Sequence, residues 1–327
     1  MKLGSLREGG RDGTLVVINA DLTRIVRVPH ICTTLQAALD KWQRHGLRLQ
    51  ETYRELCDGA ISGEPFVPAR MAAPLPRAYQ WLDGSAYMPH VRRVRQARGA
   101  QVPERWYDDP LMYQGGSDVM LCAHDPIVLQ DESWGGDCEA EIAVIVDDVP
   151  RGTRADQAQE FIRLIVLVND ISLRGLIPAE LEKGFGFLHG KPPSAFAPAA
   201  VTPDELGNAW RDAKVHLPLL TRINGTRLGE PHAGEDMQFN FAQLIAHAAK
   251  TRPLSAGTII GSGTVSNEDE SRGVSCLMEQ RVMEQLREGR ARTAFLRGGD
   301  RVRIEMTDAQ GGSVFGAIEQ TVELCPS

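Results

Sequence analysis

The clearest pattern in the chain is the octet EAEIAVIV (139–146). Alternate side chains of a strand face opposite ways, so a strand here sends Glu139 and Glu141 in the same direction with Cα atoms ~7 Å apart. In a helix they would diverge. The short apolar run and its β-branched residues favour the strand. At an effective dielectric of ~20, two anions at that spacing repel by roughly 2 kcal/mol. A compensating group is expected, unless this is a solvated strand end carrying two ordinary acids.

The same patterning divides the rest of the chain. GTLVVINADLTRIVRV (13–28) alternates apolar and polar positions around an Asn-Ala-Asp turn and predicts a hairpin. Thr33 or Thr34 then caps a helix through LQAALDKWQRH, ended by Gly46, and a second short helix runs through LRLQETYRELC. The proline-containing stretch 63–76 marks a boundary between a small N-terminal domain, 1–75, and a larger domain, 76–327. Beyond it the pattern predicts short strands near 118–122, 126–129, 139–146, 164–168, 216–223, 258–261, 300–306 and 314–322. Helices are expected only at about 155–163 and 240–250. The fold class is therefore mostly β with some helices, α+β.

Composition narrows the function. The 327 residues are 42% hydrophobic and 24% charged, which suits a globular protein with a substantial core. A net charge of −7, with no dense basic block except the arginine-rich piece 90–99, argues against nucleic acid or an anionic membrane as partner. The N-terminal stretch lacks an apolar leader core and no segment is an uninterrupted membrane-length apolar run, so a cytoplasmic location is expected. Six cysteines are scattered without a CxxC pair, which predicts reduced thiols rather than a zinc site or disulfide scaffold.

Candidate chemistry gathers on acids. Asp170 closes the apolar run LIVLVND, where scaffolded sites are commonly built, although a plain turn residue fits equally. The loop GFGFLHGKPPSAFAP (184–198) offers Lys191 and Ser194, but its glycine spacing is wrong for a phosphate loop. GSGTVSN (261–267) lacks the third glycine of a dinucleotide fingerprint. In WLDGSAYMPHVRR (81–93), Asp83 and His90 stand seven residues apart across a turn-like segment. No GxSxG elbow accompanies them. If Asp83, Glu139, Glu141 and Asp170 converge, the ligand set is all oxygen and selects Mg²⁺, Ca²⁺ or Mn²⁺ over Zn²⁺. A cation would then hold the two glutamates together.

Taken in order, DGSAYMPH, MYQGG, DCEAEIAVIV, VNDISLRG, GKPPSAFAP, GSGTVSN and CLMEQR resemble the fumarylacetoacetate hydrolase (fumarylacetoacetase) family over roughly residues 76–322. The resemblance implies a distorted mixed β-roll, usually dimeric, behind a small N-terminal domain. It implies a divalent cation, Mg²⁺ or else Ca²⁺ or Mn²⁺, on Asp83, Glu139, Glu141 and Asp170. It implies His90 as general base oriented by Glu279, Arg174 and Lys191 as oxyanion-stabilising cations, and Tyr113, Thr264 and Tyr87 on the substrate. The implied reaction is hydrolytic carbon–carbon cleavage of a small 1,3-diketo acid, foremost fumarylacetoacetate to fumarate and acetoacetate in aromatic amino acid (tyrosine) catabolism. The family's oxyanion-side Gln falls on Ile177, which keeps open an acylpyruvate hydrolase, a 2-keto acid decarboxylase or a 2-hydroxydienoate hydratase. A non-catalytic metal-stabilised binding protein would need no base, and His90 argues against it.

Overall fold

The computed structural model describes residues 1–97 and 99–325. Arg98 of the arginine-rich piece lies outside the described residues, as do Pro326 and Ser327 of the larger expected domain.

Two apolar strands form the centre. Ala140–Val146 and Ile162–Asn169 pair antiparallel, with Val168 opposite Glu141 and Asn169 opposite Ala140. Every residue of Ala140–Val146 is buried, which is why the pattern from Ile142 onward is a continuous apolar run. A large sheet grows from this pair. On one side follow Ile259–Gly261, Trp81–Gly84 and Met112–Gly115; on the other, Ala200–Val201, Lys2–Leu6, Thr14–Ile18, Arg24–Arg27 and Glu64–Pro65. A second sheet orders Thr226–Gly229, Leu219–Ile223, Arg301–Met306, Ile318–Leu324 and Ile127–Leu129. This is the mixed α+β architecture expected, with the hairpin at 14–27 in register Val16 to Arg27. The N-terminal strands extend the large sheet directly, because Lys2 and Leu3 pair with Val201 and Ala200.

Several local expectations differ from the structure. Gly46 does not end a helix. Thr34 caps only Leu35–Leu39, and a new helix, Trp42–Cys57, runs straight through Gly46. A glycine costs about 1 kcal/mol there, and burial of Leu49, Tyr53 and Leu56 on one face offsets it. Residues 118–122 form no strand, only a bridge from Leu121 to Ala195, and the last strand starts at Ile318 rather than at 314.

Beyond residue 76, helices are also more numerous than the two expected there. The turn-like segment after Asp83 is a strand, Trp81–Gly84, followed by the helix Met88–Ala97. Pro89, near its start, was a helix-entry signal hidden by the arginines. Ile177–Lys183 and Leu277–Glu288 are helical too. The second starts on Cys276, outside the usual capping set of Ser, Thr, Asp and Asn.

Candidate active site

The site is built where the two central strands meet the glycine loop after Gly261. Asp83 lies on the strand Trp81–Gly84 opposite Gly261, and its Oδ1 accepts a hydrogen bond from Gly263 N at 3.1 Å. A Cβ on Gly261 would sit 2.3 Å from that oxygen, and Gly263 holds φ +77°. Glycine is thus required for the backbone to shelve the carboxylate. The glycines of GSGTVSN seat an acid.

Asp83, Glu141 and Asp170 each place a carboxylate oxygen within 4.8 Å of the others, and all three are buried. Their surroundings differ sharply. Asp170 Oδ1 accepts from Ser194 Oγ at 2.6 Å, and its Oδ2 accepts from Tyr113 Oη at 2.7 Å and Lys191 Nζ at 2.5 Å. Glu141 has no partner for either oxygen among the described residues. Burial first, and then Asp83 and Asp170, push its carboxyl well above the ordinary range. Burial and then Asp170 do the same to Asp83.

Glu139 is compensated by the chain itself. Arg174 Nη2 donates to its Oε1 at 2.7 Å, while Lys191 Nζ at 2.5 Å and Ser172 Oγ at 3.2 Å donate to Oε2. Burial opposes its charge, but Arg174 and then Lys191 outweigh that and hold it well below the usual carboxylate range. Burial would lower Lys191, and Asp170 with Glu139 reverse this and keep its ammonium charged. The two glutamates of the alternating octet therefore have different partners. Cations answer one, and the other is left open.

That opening tests whether a metal fits. Three buried carboxylates with two orphaned oxygens form a hard, all-oxygen donor set that Mg²⁺, Ca²⁺ or Mn²⁺ suits. Glu139, the fourth acid of the implied set, reaches the same place through Lys191, which it shares with Asp170.

Beside the acids stands His90, on the first turn of its helix. Its Nδ1 donates to Glu279 Oε2 at 2.7 Å. Glu279 is fully buried, and its Oε1 accepts from Arg93 Nη1 at 2.6 Å and Ser266 Oγ at 2.7 Å. Burial works most strongly against its charge, but His90, Ser266 and Arg93 together outweigh this and lower its pKa. A ring nitrogen of His90 lies within 4.8 Å of a Glu139 oxygen. An oriented imidazole thus adjoins the carboxylates.

The remaining expected residues divide. Tyr113 contacts the acids through Asp170, and its ring meets Phe187 edge-on at 5.2 Å. Thr264 lies buried on the glycine loop. Tyr87 donates its hydroxyl to Ala233 O at 2.6 Å, which ties it to backbone. Ile177 is buried at the start of its helix, packed against Gly190.

Sequence reasoning missed Asp137, Arg93 and Ser266. Asp137 is fully buried, accepts from Leu277 N at 2.7 Å and Met278 N at 2.9 Å, and takes Arg174 Nε at 2.9 Å. One carboxylate therefore caps the helix that carries Glu279 and fixes the arginine that holds Glu139. The signal was present, since Asp137 continues the alternation of Glu139 and Glu141. Asp137→Ala should cost about 3–5 kcal/mol by leaving Arg174 Nε and the buried helix amides of Leu277 and Met278 without their acceptor, Arg174 keeping only Glu139. A denaturant midpoint near that of the wild type would refute this.

Comparison with known proteins agrees with this geometry. Residues 80–323 match the model described as fumarylacetoacetate (FAA) hydrolase C-terminal, and residues 1–77 match fumarylacetoacetase N-terminal domain 2. The chain belongs to the fumarylacetoacetate hydrolase family. Members of this family are enzymes, hydrolases or isomerases, and generally depend on a divalent metal. This family member is 31% identical to 2,4-didehydro-3-deoxy-L-rhamnonate hydrolase of Sphingomonas sp. (strain SKA58) over 159 residues, 48% of this chain and 53% of that protein. The match thus spans about half of that relative. It is 25% identical to oxaloacetate tautomerase Fahd2a, mitochondrial, of Rattus norvegicus over 239 residues, 71% of each chain. Its fold superposes on fumarylacetoacetate hydrolase from Exiguobacterium antarcticum with TM-score 0.67 at 17% identity, covering 99% and 100% of the two chains.

Proposed function

We propose that this enzyme hydrolyses a carbon–carbon bond in a 1,3-diketo acid. The observation that carries the reading is the His90–Glu279 pair at 2.7 Å beside the buried acids, a general base that hydrolysis needs. Glu279, held anionic by His90, Ser266 and Arg93, steadies the imidazolium formed when His90 takes a proton from water. The water attacks one carbonyl carbon, and Lys191 and Arg174 supply positive charge for the oxyanion. The bond to the neighbouring carbon then breaks, and that carbon recovers a proton as His90 returns to neutrality. A cation such as Mg²⁺ on Asp83, Glu141 and Asp170, with Glu139, would supply Lewis-acid polarisation of the diketo oxygens. Tyr113, Thr264 and Tyr87 are proposed as substrate contacts, of which Tyr113 has the strongest support because its hydroxyl already meets Asp170.

Two substrate types fit, fumarylacetoacetate and a 2,4-dioxo acid of the acylpyruvate type. A 2,4-didehydro-3-deoxy sugar acid is of the second type, which supports that arm. The experiment is a panel of both types assayed by loss of enol absorbance with Mg²⁺ and Mn²⁺, with products identified. Cleavage of none of them would overturn the reading. The tautomerase relative favours one alternative, enol–keto exchange of oxaloacetate, in which absorbance falls but no carbon–carbon bond breaks.

The division at 75/76 is proposed to be functional as well. All the site side chains described above lie between Asp83 and Glu279, so residues 1–75 serve packing. Alanine substitutions on exposed positions of 1–70 should leave turnover within about twofold, and a loss as deep as that at His90 without unfolding would sink the idea. No helix among the described residues is long and apolar enough to cross a membrane. A cytoplasmic homodimer is proposed, with Phe185 and Leu188 fully or largely exposed as support for an apolar contact; a monomeric mass by light scattering would exclude the dimer.

A further inference from the structure

A second donor cluster adjoins the carboxylates, and the hydrolysis above makes no use of one of its members. A ring nitrogen of His90, a Glu139 oxygen and Cys276 Sγ all lie within 4.8 Å of one another. The three arrive from separate elements. His90 sits on the helix Met88–Ala97, Glu139 at the entry to Ala140–Val146, and Cys276 at the cap of Leu277–Glu288. A backbone bridge between Glu139 and Cys276 sets two of them side by side. The cluster is therefore preformed by the fold.

Its chemistry differs from that of the acid set. One nitrogen, one oxygen and one sulfur suit Zn²⁺ and its softer analogues, whereas Mg²⁺ avoids thiolate. The supporting shell is also in place. His90 Nδ1 is engaged by the Glu279 carboxylate, itself clamped by Arg93 and Ser266. Carboxylate–imidazole pairs of this kind orient metal-ligating histidines and leave the other ring nitrogen free. Cys276 is fully buried, and its Sγ accepts one bond, from Glu279 N at 3.4 Å. Arg174 and Lys191 on Glu139 reduce the negative charge at this cluster, which sets its affinity below that of a structural cysteine–histidine site.

We propose that His90, Glu139 and Cys276 form an inhibitory site for a borderline or soft divalent cation of the Zn²⁺ type, which shares Glu139 with the hard-cation set and leaves out Asp83, Glu141 and Asp170. Binding forms a sulfur–metal bond and releases the thiol proton to solvent. The ion takes a ring nitrogen of His90 as ligand, so the imidazole is no longer free to accept a proton from water, and hydrolysis stops while Asp83, Glu141 and Asp170 stay free for Mg²⁺. The inhibition rests on the hydrolase reading. The binding does not.

The test uses the full chain, stripped of metal and then titrated with Co²⁺ in excess Mg²⁺. Cys276→Ser keeps an oxygen as helix cap while removing the soft donor. The wild type should develop a near-ultraviolet thiolate-to-cobalt charge-transfer band. Cys276→Ser should lack it, bind Co²⁺ roughly 10- to 100-fold more weakly, keep its turnover in Mg²⁺, and resist Zn²⁺ inhibition. His90→Ala, at a half-buried position, gives a second variant should the serine variant not fold, and it should weaken the band. No band in the wild type, or a band equally strong in both variants, overturns the proposal; the latter would put cobalt on Cys32, Cys57 or Cys325, the thiols that are not buried. A band lost in Cys276→Ser, in an enzyme that cleaves no diketo acid, sustains the site and counts against the hydrolase reading alone.

Discussion

His90→Ala should lower kcat by roughly 10²- to 10⁴-fold on whichever diketo acid the enzyme cleaves, with Mg²⁺ affinity almost unchanged. The imidazole is half-buried, bonds to no carboxylate of the Asp83, Glu141 and Asp170 set, and is held by Glu279 at 2.7 Å. Its loss therefore removes a proton acceptor and leaves the hard-cation donors alone. Glu279→Gln should be milder, because the amide can still position the ring but no longer stabilises its charged form. The double variant should be little worse than His90→Ala, since the two act as a unit. The measurement is steady-state turnover beside calorimetric titration of Mg²⁺. Near-normal cleavage by His90→Ala would falsify the hydrolytic assignment, and retained enol–keto exchange without cleavage would install the tautomerase reading in its place.

How much of this was legible depends on where each signal sits. The alternation of Glu139 and Glu141, the acid closing LIVLVND and the lysine after Gly190 are local patterns, and local patterns carry strand identity and face. They gave the central pair of strands and the acids along it. The contact of His90 with Glu279 spans 189 residues, and only resemblance to a family suggested it, because no periodicity links positions so distant. The helices that carry these two residues were not foreseen. One opens on a proline among arginines, and the other on a cysteine whose first amides are satisfied by Asp137 from 140 residues away. A cap supplied from that distance leaves no mark beside the helix it caps.

The unequal treatment of Glu139 and Glu141 was equally hidden. Spacing places both carboxylates on one face, and spacing says nothing of which one Arg174 and Lys191 will reach. The glycine loop was legible only as a failed fingerprint. Its purpose appears once Asp83 is seen 2.3 Å from where a Cβ on Gly261 would stand. Close backbone approach is a tertiary fact, and glycine in a sequence announces that something needs room without saying what.

Glu141→Gln should separate stability from activity in opposite directions. In the metal-free protein Glu141 is fully buried, both its oxygens lack partners, and Asp83 and Asp170 crowd it. Its charge there is unfavourable, since burial and those two neighbours raise its pKa above the ordinary 4.5. Between that ordinary value and the raised one, the folded state binds more protons than the unfolded, so metal-free stability falls as pH rises through the window. Removing the charge should flatten that slope and leave Tm in chelator at pH 7 equal to or above the wild-type value. The cation loses both a charge and a preferred oxygen, so the gain in Tm on adding Mg²⁺ should shrink. Turnover at low Mg²⁺ should drop by about 10²-fold or more and recover partly at high Mg²⁺. Thermal melts in chelator and across a Mg²⁺ series, read beside kcat at the same concentrations, give the answer. A variant with an unaltered Mg²⁺ response in both would show that the three carboxylates do not share a cation.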